Sequence, residues 1–320
     1  MRTGSSFVGE LLGNSQDIFY LFEPGLSLLN TLEGLEGQRE VLRSSYLGML
    51  RRLYRCDFKH LDFYLEWLSR RQTLLPKFAP RLHDLCSNSL IRGKCMLTRG
   101  MATGSCLQSG YIVVKSIRVR DIMVLLPMME DSATNLKVIH LLRDPRPTIA
   151  SRVLAQTKKK VTQLSQSVRE YLYLHCKFNL ENFELGTRNP YIKNRYMFLR
   201  YEDAAMDPLA AAKRMHRFLG HKEVPESVLK WIAANTESKK PALTYSTARN
   251  SSEAYRAWRS NLPFDTAKEI EETGECPQMM ARLGYHSLED ETHLRNMSRS
   301  LVGSIPIGHD DRKYDWVWEL

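Results

Sequence analysis

No stretch of this sequence is apolar for long enough to cross a bilayer. The longest run, Ile122 to Met129, falls far short of the roughly 20 residues a spanning helix needs and contains Pro127. A Walker A loop is missing too, since no G-x-x-x-x-G-K-[ST] pattern occurs, and no Walker B Asp is evident, which argues against ordinary P-loop phosphoryl transfer. The six cysteines, at 56, 86, 95, 106, 176 and 276, do not fall at structural-zinc spacing. Internal repeats and low-complexity segments are absent. Acidic residues are in deficit, 36 against 46 Lys and Arg, leaving a formal net charge of +10. That charge favours polyanionic partners, but no nucleic-acid-binding motif accompanies it.

What is present is an ordinary globular composition, 43% hydrophobic and 26% charged over 320 residues. One α/β domain with loop insertions fits this length better than two. Cys86, Cys95 and Cys106 crowd a Gly/Ser/Arg-rich stretch that disulfides would staple in an oxidising compartment. Two N-x-[ST] sequons, Asn250-Ser251-Ser252 and Asn296-Met297-Ser298, suit a secretory protein.

Apolar spacing predicts helices over Phe7–Leu12, Val41–Tyr54, Leu61–Leu68 and Asp121–Met129, and strands at Ile18–Leu21, Tyr111–Ile117, 137–142 and Tyr196–Arg200. A long helix is expected over Val161–Asn182, with Lys158-Lys159-Lys160 near its start. The segment 73–110 is Cys-, Arg- and Gly-rich with poor periodicity, and reads as an irregular insertion. The rest reads as mostly helical. Strands alternating with helices predict a parallel sheet flanked by helices on both faces.

Two segments carry chemistry. Arg2-Thr3-Gly4-Ser5-Ser6 runs into the first helix, where small residues let backbone N–H groups approach a phosphate and hydroxyls add donors. Alone, it is equally a plain helix N-cap. Downstream, the 137–142 strand delivers Arg143 to its C-terminal end, where α/β sheets bind ligands, and Ser151 follows on the next helix. A guanidinium and a hydroxyl so placed can clamp another phosphate, although Arg143-Asp144-Pro145-Arg146 is also a sound helix start.

The stretch RTGSSFVGELLGNSQDIFYLFEP at 2 to 24 resembles the 5′-phosphosulfate-binding loop of the Golgi carbohydrate sulfotransferases that sulfate the 6-hydroxyl of Gal, GlcNAc or GalNAc. KVIHLLRDPRPTIASR at 137 to 152 is similar to their 3′-phosphate-binding segment, and RYED at 200 to 203 and YSTARNSSEAYRAWRSNL at 245 to 262 resemble later blocks. The resemblance implies an α/β, P-loop-like sulfotransferase fold over 1–302 followed by a tail, 303–320. It implies 3′-phosphoadenosine-5′-phosphosulfate as sulfuryl donor without a metal, a glycan or glycosaminoglycan acceptor, no nucleic acid, and a Golgi-lumenal site. Family members are anchored by an N-terminal helix and have a strand before the loop. Neither precedes Arg2 here, so a front-truncated chain is expected.

Carried over residue by residue, Arg2, Thr3, Gly4, Ser5, Ser6 and Phe7 hold the 5′-phosphosulfate. Arg143 and Ser151 hold the 3′-phosphate, and Arg249 folds over the donor as a lid. Arg2 stabilises the leaving charge and Glu23, at a strand end, is the base. Glu23 is otherwise a surface carboxylate or the partner of a nearby Arg. Glu10 and His140 are rival bases, the first expected to face solvent and the second to sit in the core. Lys115 ends a strand near the sulfonate or simply reaches solvent. Tyr201 packs near the nucleotide or in the core, and Trp258 reads as a packing residue. The non-enzymatic alternative is a heparin- or polyanion-binding remnant of the fold, and a P-loop kinase is a weaker one.

Overall fold

The apolar runs at Ile18 and Tyr111 meet as a parallel pair in the computed structural model, which describes residues 3–31, 38–88, 95–236 and 251–306. Strand β1 spans Ile18–Phe22 and β2 spans Tyr111–Lys115, with Ile18 opposite Tyr111 and Phe22 opposite Lys115. Strand β3, Val138–Leu142, pairs in parallel with β4, Tyr196–Arg200, with Val138 opposite Tyr196 and Leu142 opposite Arg200. Each ladder belongs to a different compact unit. One unit comprises Ser6–Leu136 and Ala212–Ile232, and the other the described parts of 1–5, 137–211 and 233–320.

In the first of these units β1 is apolar throughout because both its faces are covered, as is usual for parallel strands. Ile18, Phe19 and Leu21 lose all solvent contact, as do Leu53, Leu68 and Leu82. Burial of each such side chain contributes about 1.5–3 kcal/mol. The Phe19 ring meets Phe58 edge-on at 6.1 Å. The segment 73–110, expected to be irregular, instead carries three short helices, Leu75–Phe78, Pro80–Asn88 and Arg99–Leu107. None is long enough to show an apolar stripe over several turns, so periodicity missed them. Their starts are local. Pro76 and Pro80 sit in first turns, and the Thr98 hydroxyl accepts the Met101 N–H at 3.2 Å. Disulfides Cys86–Cys95 and Cys56–Cys106 hold this region.

The second unit begins its main body with β3, and the helix Pro145–Thr157 follows directly. Asp144 caps that helix by accepting the Arg146 N–H at 2.9 Å. The long helix is not where its lysines suggested. Lys158 closes Pro145–Thr157 in the left-handed conformation (φ 61°), its N–H bonded to Leu154 C=O at 2.9 Å, and the next helix is Gln166–Arg188. Lysines near a helix C-terminus match its dipole, and that preference outweighs reading them as an N-terminal signal. Cys176 of Gln166–Arg188 is bonded to Cys276 of the helix Cys276–Arg282. Leu172, Phe183, Ile270, Met279 and Leu283 fill the core around this staple. The expected helix at Asp121–Met129 is a 3-10 turn, Ile122–Leu125, running into a single α turn, Leu126–Met129. Among the described residues no helix is long and apolar enough to cross a membrane. Of the tail after Val302, only 303–306 lie within the described residues.

Candidate active site

Gly4 adopts φ +81°, a conformation only glycine takes without strain, just before the helix Ser5–Gly13 begins. A Cβ there would overlap Cδ2 and Cε2 of Tyr201, so the loop lies directly on that ring. Thr3 is buried, while Ser5 and Ser6 are half-buried at the helix start, where the first backbone N–H groups have no intrahelical acceptor. The Phe7 side chain is core, 6.0 Å from the Trp231 ring, so it does not itself face an anion. Arg2 and Arg249 lie outside the described residues.

On its face, Tyr201 carries the Arg143 guanidinium, whose Cζ is 4.4 Å from the ring centroid. The parallel β3–β4 pairing explains this, because both residues leave the C-terminal end of their strands one step after Leu142 and Arg200, which are register partners. Ser151 sits half-buried on the helix Pro145–Thr157. The two arginines of Arg143-Asp144-Pro145-Arg146 have separate fates. Arg146 is fully buried, ion-paired with Asp144 at 2.7 Å and Glu271 at 2.6 Å, and donates to His286 C=O at 3.0 Å, so its work is structural. Beside Asp144, Glu202 accepts from the Tyr285 hydroxyl at 2.7 Å and from the Asp144 N–H at 3.2 Å. Burial, reinforced by the Asp144 charge and opposed by Arg143, pushes the Glu202 carboxyl up to about 7.

In the other unit, Glu23 follows β1 with φ +48° and is 3% exposed. Its N–H donates to Lys115 C=O at 2.8 Å, prolonging the ladder. The carboxylate is clamped between the Lys115 ammonium on one oxygen and the Arg118 guanidinium on the other. Lys115 also lies over the Phe22 ring, 4.4 Å from its centroid, with Lys77 5.3 Å from the same ring. Burial pushes the Lys115 ammonium below its ordinary range against the pull of Glu23. Two cations thus hold one carboxylate, with Lys77 over the neighbouring ring. Gly25 makes room for this arrangement, since a Cβ there would lie 2.8 Å from Cδ of Arg118. Phe22 stacks on Phe78, and Phe78 on Trp67, with centroids 5.4 and 5.3 Å apart, which gives the centre a rigid aromatic backing.

The solvent-reaching alternative for Lys115 is therefore corrected. Register could have found it, because a parallel partner of Phe22 must end beside Glu23. Arg118, three residues beyond the strand in a loop, left no such signal. His140 is a core group, as one of its readings held. Its ring nitrogens bond the Tyr196 hydroxyl at 2.7 Å and Asn179 Oδ1 at 3.0 Å, and burial lowers its pKa to about 4. Trp258 packs against the core cluster, with Arg146 5.1 Å from its ring centroid.

Residues 114–284 match the family model described as a sulfotransferase domain. The sequence is 33% identical over 330 residues to carbohydrate sulfotransferase 3 of Tetronarce californica, covering 94% of this chain and 74% of that protein. It is 32% identical over 338 residues to carbohydrate sulfotransferase 3 of Homo sapiens, with 94% and 69% covered. It is also 32% identical to carbohydrate sulfotransferase 1 of Homo sapiens over 343 residues, with 94% and 81% covered. With its mixed α/β architecture and parallel strand pairs, the chain belongs to the carbohydrate sulfotransferase family.

Proposed function

We propose that this protein moves a sulfuryl group from 3′-phosphoadenosine-5′-phosphosulfate to the 6-hydroxyl of a Gal, GlcNAc or GalNAc residue in a glycan or glycosaminoglycan, in the Golgi lumen. The observation that carries the reading is Tyr201, whose single ring supports Gly4 of the first anion loop and Arg143 of the second. A donor with phosphates at both ends of one adenosine needs two such anion-binding elements held in fixed relation. In this reading the N–H groups from Gly4 to Phe7, with Arg2, hold the 5′-phosphosulfate. Arg143 and Ser151 hold the 3′-phosphate, and Arg249 closes over the donor.

The reaction is an in-line displacement. The sugar oxygen forms a bond to sulfur while the bond from sulfur to the bridging oxygen of the 5′-phosphate breaks, and Glu23 takes the hydroxyl proton. Charge on the departing phosphate is stabilised by Arg2 and the loop N–H groups. The two cations on Glu23 hold its carboxylate in one orientation. Residues 1–302 form the sulfotransferase domain in this proposal, with 303–320 as a tail.

The test is transfer of radiolabelled sulfate from the donor to keratan, chondroitin and GlcNAc-terminated acceptors. Label at a 6-hydroxyl is expected. Retention on an immobilised adenosine 3′,5′-bisphosphate resin with no transfer to any acceptor would favour a non-catalytic remnant instead.

A further inference from the structure

The sequon Asn296-Met297-Ser298 is not among the residues assigned to the donor or the base, and although Met297 and Ser298 line a cavity with Asp144 and Glu202, Asn296 does not. Asn296 follows the short helix Glu291–Arg295, and both Asn296 and Ser298 are exposed. The turn is held from beneath by the buried Arg259. Its guanidinium donates to the carbonyls of Leu294 at 2.8 Å and of His293, Asn296 and Arg299 at 2.7 Å each. With its backbone carbonyl occupied on the inner side, Asn296 presents its side chain outward. Its Oδ1 accepts the Ser298 N–H at 3.0 Å, an Asx turn, and its Nδ2 has no hydrogen-bond partner among the described residues. All six cysteines are paired, as expected of a chain that matures where thiols are oxidised.

We propose that Asn296 carries an N-linked glycan. In the attaching step Nδ2 of Asn296 forms a bond to the anomeric carbon of an oligosaccharide carried on a lipid diphosphate. The bond from that carbon to the diphosphate oxygen breaks, the lipid diphosphate leaves, and the amide loses one proton. The co-reactant and its transferase belong to the secretory pathway. Folding then leaves the sugar outside, displacing no core side chain and sparing the Arg259 contacts, which use only carbonyls. The other sequon, at Asn250, lies outside the described residues. This inference does not depend on the sulfuryl-transfer reading.

The test expresses the full chain in the secretory pathway of animal cells and treats it with peptide N-glycosidase, reading gel mobility and the mass of the peptide bearing position 296. Wild type, Ser298→Thr and Asn250→Gln are expected to show a glycosidase-sensitive modification at Asn296. Asn296→Gln and Ser298→Ala are expected to lose it, and the second keeps the asparagine and its turn in place. An unmodified Asn296 amide in the secreted wild type would overturn the proposal, as would a modification that survives Ser298→Ala.

Discussion

The guanidinium of Arg143 lies on the face of the Tyr201 ring, 4.4 Å from its centroid, and that ring is also the surface on which Gly4 rests. A guanidinium held this way loses rotational freedom. Such a contact contributes about 0.5–2 kcal/mol.

Replacing Tyr201 with Ala should loosen both segments that the proposal assigns to the donor and raise the Kd for adenosine 3′,5′-bisphosphate by about tenfold, while Tyr201→Phe keeps it near wild type. Gly4→Ala should be at least as damaging, because the added Cβ overlaps the ring and φ +81° is strained for alanine. Isothermal titration calorimetry reads all three.

At the Glu23 centre, Glu23→Gln should lower kcat by about 10²–10⁴-fold while leaving donor affinity nearly unchanged, as loss of a base does. The same change leaves Lys115 and Arg118 without their carboxylate, and breaking a buried ion pair costs about 3–5 kcal/mol. Activity must therefore be measured well below the lowered Tm. Full turnover by Glu23→Gln would remove it from the role of base.

Two buried groups give stability opposite pH slopes. Glu202, raised from 4.5 to about 7, holds its proton in the folded protein where the unfolded chain has lost it, so its contribution is complete below pH 4.5 and is lost as pH rises toward 7. The loss is about 3 kcal/mol. His140 and His175, lowered from 6.5 to about 4, act the other way, and their contribution is lost as pH falls from 6.5 toward 4. Melting curves across this range should show Glu202→Gln losing the fall toward pH 7 and keeping the acid limb.

The Cys176–Cys276 bond closes a loop with a sequence separation of 100 residues. Replacing both cysteines with Ser should lower stability by about 2–5 kcal/mol, read from denaturant midpoints.

The motif-bearing parts of the fold were legible in the sequence because their signals are local. Four strands announce themselves as short apolar runs, and the Gly4 and Arg143 segments sit at a helix start and a strand end as their composition indicated. The short helices of 73–110 were not, since one or two turns hold no period. Lys158 misled because a lysine cluster marks a helix end as readily as it lies on a helix face. At the candidate site the sequence located Glu23 but not its clamp. Glu23 and Lys115 stand 92 residues apart, and only strand register joins them. Glu202 escaped notice because its unusual pKa arises from burial and from Asp144, reached 58 residues away in sequence.

The most direct measurement is a crystal structure with adenosine 3′,5′-bisphosphate bound to the wild-type protein. The 5′-phosphate is expected on the N–H groups between Gly4 and Phe7, with the 3′-phosphate against Arg143 and Ser151. A nucleotide bound away from both segments, or turned so that neither phosphate meets them, would contradict the assignment of these residues to the donor.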